Sequence, residues 1–119
     1  MVPTLEPGDR LLVDLEAYRS ASPVIGDIVV LRDPEKAERW LVKRVAGVGP
    51  GQFWRTGSGL VSVPSEDAIE EISLPASTVY VTGDAESARD SRRFGPVPSG
   101  SLVGRAYYRY APAHRRGEL

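Results

Sequence analysis

Few residues of this chain are equipped for chemistry. The 119 residues include no cysteine, which removes thiol nucleophiles, disulfides and thiolate metal sites together. The single histidine, His114, sits in the polar stretch Ala113-His114-Arg115-Arg116-Gly117. From a solvated tail it cannot orient a Ser-His-Asp triad, and one imidazole does not make a histidine-rich metal site. An acid or base here must be a carboxylate, a lysine or a tyrosine, and no cofactor is expected. Of the 15 basic residues only Lys36 and Lys43 are lysines. Lys36, among Glu35, Glu38 and Arg39, reads as a solvated loop charge. Lys43 lies inside Leu41-Val42-Lys43-Arg44-Val45, and strand alternation puts it on the face of Leu41 and Val45, with Arg44 on that of Val42. One of the two cations therefore turns inward. Burial disfavours an ammonium, so a lysine there can be neutral near pH 7 and take the proton of a serine hydroxyl, which an arginine cannot do. The competing reading is an edge-strand lysine whose stem carries its charge to water.

The elements that would position Lys43 are mostly strands. Arg10-Leu11-Leu12-Val13 reads as a short strand, and Ile28-Val29-Val30-Leu31 after Gly26-Asp27 as one buried on both faces. Asp33 to Lys36 is a charged, hairpin-like connection into a strand over Trp40 to Val48, which Gly49-Pro50-Gly51 ends. Gln52 to Arg55 and Leu60 to Val63 flank Thr56-Gly57-Ser58-Gly59, a hairpin turn. The adjacent aromatics Phe53 and Trp54 either touch a membrane as hairpin tips or divide between core and surface. Ser65 to Glu71 is acidic and suits a turn of helix. Thr78-Val79-Tyr80-Val81-Thr82 is a β-branched and aromatic strand. Gly83 to Pro98 reads as a long polar loop, Ser101 to Tyr110 as the last strand, and the final residues as a disordered basic tail.

The length suits one domain, and 41% hydrophobic with 26% charged residues is ordinary for a globular protein. The net charge of -1 makes no case for a nucleic-acid partner. No run approaches the roughly 20 apolar residues of a membrane span, and the start lacks the pattern of a secretory signal. Taken literally, the chain is cytosolic and soluble, on the premise that Met1 is the true start.

Several segments in order narrow the reading. Met1-Val2-Pro3-Thr4-Leu5, then Gly8-Asp9-Arg10-Leu11-Leu12-Val13, resembles the first box of the signal peptidase I family. Gly26-Asp27-Ile28-Val29-Val30 resembles its second box, and Val42-Lys43-Arg44-Val45-Ala46-Gly47 the box of the general-base lysine. Gly83-Asp84 followed by Asp90-Ser91-Arg92-Arg93-Phe94-Gly95 is similar to the last box, and Leu102-Val103-Gly104-Arg105-Ala106 to the strand after it. The resemblance implies a single-domain, mostly β fold with little helix, shared with LexA-type self-cleaving proteins. Residues 1–110 would be the Ser/Lys peptidase core and 111–119 a basic C-terminal tail. It implies cleavage of a preprotein's signal or leader peptide after small residues, with Lys43 as base. Met1 would line the substrate pocket, Pro3 and Thr4 would shape the nucleophile turn, and Asp90 with Arg92 would form a supporting ion pair. Asp84, Ser87 and Ser91 belong to the same supporting box.

The chain also departs from that pattern. The family's nucleophile is the serine directly before the methionine of the first box, and here that methionine is residue 1. The chain as given is expected to be inactive, lacking that serine and the oxyanion donors around it. The expectation is a natural protein that extends upstream, with the serine and an anchor that holds the catalytic domain at a membrane outside the cytoplasm. A cytoplasmic maturation protease, of the type that trims the leader of nickel superoxide dismutase, and a catalytically inactive peptide-binding relative are the alternatives. In the last box Ala85 stands where asparagine is usual. Ala88 stands where a serine usually bonds the lysine, a place Ser87 fills if the shorter loop shifts register.

Overall fold

Alternating β-branched and aliphatic residues set most of the architecture, because a strand with one face on a core and one towards water must alternate. The computed structural model describes residues 8–83 and 89–119. Its strands are β1 (Arg10–Asp14), β2 (Ile28–Asp33), β3 (Lys36–Val48), β4 (Gly51–Thr56), β5 (Gly59–Val61), β6 (Glu70–Leu74), β7 (Thr78–Thr82), β8 (Val97–Pro98), β9 (Leu102–Ala111) and β10 (Gly117–Glu118). The helical content is one short helix, α1 (Ser91–Phe94), and two single 3-10 turns, Ser99–Ser101 and Ala113–Arg115. The fold is mostly β with little helix.

One antiparallel sheet runs β1-β9-β2-β3-β7-β8, with β10 also on β9, and a second runs β5-β4-β6. Val29, Leu31, Val45, Val79, Val81 and Val97 form the main core on one face of the large sheet, with Phe94 of α1 packed against them. Phe53, Leu74 and Tyr80 form a second core that joins the small sheet to β7. The break at Gly49 is a matter of space, since a Cβ there would lie 1.9 Å from the carbonyl oxygen of Pro75.

Three local expectations are corrected, and one open alternative is decided. Ser65 to Glu71 is not helical: the Ala68 amide donates to the Ser65 carbonyl in a turn, and Glu70 then starts β6. Pairing on β4 decides this, because Ile72 and Leu74 face the second core while Arg55 and Glu70 pair across strands at 3.1 Å. The polar stretch from Gly83 to Pro98 contains α1 and β8. Of the two readings of the adjacent aromatics, the structure bears out the division between core and surface: Phe53 is only 6% exposed and Trp54 is half-buried. The last residues are ordered. Gly117 and Glu118 pair with Arg109 and Tyr108, and Arg115 lies 3.1 Å from Asp9, whose side chain is 4% exposed.

Candidate active site

Lys43 is placed by the two strands that flank it. On β3 the residues Lys43, Val45 and Gly47 are buried in alternation. Lys43 stands directly opposite Val29 of β2, a fully buried core residue, so the two side chains share the sheet face of the main core. Lys43 is 8% exposed. Arg44 takes the other face, opposite Thr82 of β7, and its guanidinium donates to the Gly26 carbonyl at 3.4 Å. Of the two adjacent cations, the lysine is the one turned inward.

The α1 segment, which follows β7 in the chain, packs on this face through Phe94. Asp90 is the N-cap of α1 and is completely buried. Its carboxylate accepts from the Gly83 amide at 2.8 Å, which ties it to the end of β7, and from the Arg92 amide at 2.9 Å. The Arg92 guanidinium adds Nη2 to Oδ2 at 2.7 Å and Nε to Oδ1 at 3.0 Å. Such a forked, charge-assisted pair fixes direction as well as distance. Ser91, also buried, accepts from the Val81 amide at 2.9 Å through its hydroxyl oxygen, so it fastens α1 to β7. Gly95 closes the helix at φ 80, a conformation that suits glycine.

Burial holds the Lys43 pKa below the ordinary lysine value, and the Arg92 and Arg89 guanidiniums push it the same way. The carboxylates of Asp90 and Asp33 pull in the opposite direction without cancelling that effect. An amine so placed gives up its proton more readily than an exposed one.

Asp90, Ser91 and Arg92 thus share one anchored segment, and the charges of Asp90 and Arg92 act on Lys43. Met1, Pro3, Thr4, Asp84, Ser87 and the positions of Ala85 and Ala88 lie outside the described residues. Sequence reasoning missed Asp33 and Arg89, which also act on the lysine. Asp33 continues the buried alternation of Val29 and Leu31 along β2, a signal that was available; no local pattern points to Arg89. Among the described residues no cluster of three or more His, Asp or Glu could hold a metal ion, and no helix is long and apolar enough to cross a membrane.

The family model described as signal peptidase, peptidase S26, matches residues 1–63. The chain is 39% identical over 121 residues to the mitochondrial ATP-independent inner membrane protease subunit 1b of Arabidopsis thaliana, covering 100% of this chain and 69% of that protein. It is 32% identical over 139 residues to the probable signal peptidase I-1 of Synechocystis sp., covering 100% of this chain and 70% of the relative. The crystal structure of a signal peptidase I from Enterococcus faecalis V583 matches with a TM-score of 0.57 at 19% identity, over 71% of this chain and 97% of that one. That likeness bears on the fold. With the family model spanning over half of the sequence and these two relatives aligned along all of it, the chain belongs to the signal peptidase S26 family.

Proposed function

We propose that this chain is the catalytic core of a serine endopeptidase that removes signal or leader peptides from preproteins, cutting after small residues with Lys43 as general base. The observation that carries the reading is the inward, desolvated Lys43, which feels the charges of the paired Asp90 and Arg92. Membership of a signal peptidase family supports the substrate class. The relative named as an inner membrane protease supports work at a membrane surface.

In this reading the nucleophile is a serine joined to the amino side of Met1. The neutral Lys43 amine takes the serine Oγ proton as Oγ bonds to the scissile carbonyl carbon. The tetrahedral adduct collapses, the C–N bond breaks, and the Lys43 ammonium gives its proton to the leaving amine. Lys43 then takes a proton from water, whose oxygen attacks the acyl ester, and returns it to the departing serine oxygen. Asp90 and Arg92 hold the wall against which the amine is aimed. They take no proton.

The test is to join a serine, preceded by a few residues, to Met1 and to offer a peptide with small residues before one bond. The expected result is cleavage after the small residue, falling by about a thousandfold or more in Lys43→Met. A folded, serine-bearing chain that binds the peptide without turnover contradicts the reading and favours a peptide-binding module.

A further inference from the structure

Asp33 is the most conspicuous charge that the proposed chemistry does not use. It ends β2 on the buried side, with its side chain at 0% exposure. Arg89, 56 residues away and directly before the N-cap Asp90, places Nη2 2.7 Å from Asp33 Oδ2 and donates to Oδ1 at 3.0 Å. The Glu35 amide donates to Oδ1 at 2.8 Å. The same arginine donates to Glu35 Oε1 at 3.0 Å, and Arg93 of α1 donates to that oxygen at 2.9 Å. Three ion pairs therefore join the turn between β2 and β3 to the segment that carries Asp90. A carboxylate so deeply buried would be costly without a partner, so the contact with Arg89 is tightly specified.

We propose that the Asp33–Arg89–Glu35–Arg93 network is a latch that fixes the Asp90–Arg92 pair over Lys43, so that Asp33 and Arg89 are positioning residues for the base. The helix it holds has four residues and cannot set its own place; Ser91 and Asp90 tie it to β7, Phe94 packs it on the main core, and these charges brace it from the side of β2. The latch rests on the reading of Lys43 as base, yet it is open to a separate test. The charged groups that act on the lysine are Asp90 and Arg92 from the α1 segment, Asp33 from β2 and Arg89. Arg39 acts in turn on Asp33.

The measurement is made on the 119-residue chain, without added serine. Lys43 is titrated through its side-chain NMR signals, and the exchange of the Gly83 and Arg92 amides, both bonded to Asp90, is followed. The double variant Asp33→Asn/Arg89→Gln removes two charges whose direct effects on Lys43 oppose each other, so a change in the lysine then reports its placement. The expected result is an upward shift of the Lys43 titration towards that of a free lysine, and about tenfold faster exchange of the two amides. The single variant Glu35→Gln, at a half-exposed site, is expected to move both readouts the same way by less, and it serves where the double variant does not fold. Lower stability with both readouts unmoved would reduce the network to a fold contact and overturn the proposal. A parent chain whose Lys43 titrates as a free lysine contradicts the base reading instead, and the amide exchange still decides the latch.

Discussion

At Lys43 two requirements oppose each other. A base must shed its proton near working pH, and the desolvation that achieves this costs stability whenever the unfolded chain is free to take the proton up. The sign follows from the direction of the shift. The folded-state pKa lies below the unfolded one, so the penalty is absent above the unfolded lysine value, grows as pH falls and levels off below the folded value. Lys43→Met, similar in length and without charge, is therefore expected to raise the denaturation midpoint near neutral pH while abolishing activity. The gain should vanish as pH rises towards the ordinary lysine range. The serine-bearing chain should show kcat/KM rising with pH as Lys43 deprotonates, and that limb should disappear with the lysine. Alternation on β3 was enough to read that one of two adjacent cations is buried. Only the difference between a group that can deprotonate and one that cannot pointed to the lysine.

At the scale of elements, β2, β3 and β7 make the floor and the short α1 segment makes the lid. The floor is ordinary packing: Leu31 is fully buried, and Leu31→Ala is expected to cost about 2–5 kcal/mol in chemical denaturation. The lid depends on Asp90, which caps α1, holds β7 and pairs Arg92. Asp90→Ala is expected to cost about 3 kcal/mol and to expose the Gly83 amide to faster exchange. The floor strands were legible because β-branched alternation is a local signal. Of the lid, the Asp90–Arg92 pair came from the family resemblance, but its anchors did not, since Asp90 bonds across seven residues to Gly83 and Arg89 reaches 56 residues back to Asp33. β6 escaped notice for a related reason. Its acidic start reads as a turn of helix until Arg55 on β4 is placed beside it.

Across the whole molecule, the two ends of the described chain meet. Asp9, just ahead of β1, is held between Arg109 of β9 and Arg115 of the closing 3-10 turn, and β10 covers part of β9 beyond the last pair with β2. Composition read this end as a solvated tail, because arginines and a histidine suit water equally well when their partner lies about a hundred residues away. Removal of residues 112–119 is expected to destabilise the fold by about 1–3 kcal/mol and to speed exchange of the Tyr107 to Arg109 amides. In the proposed reaction, the main sheet and the lid act through one outcome, the state of the Lys43 amine. The most direct test is the side-chain titration of Lys43 in the unaltered 119-residue chain. A midpoint clearly below the ordinary lysine value is the predicted result. A midpoint at or above the ordinary lysine value would contradict the account.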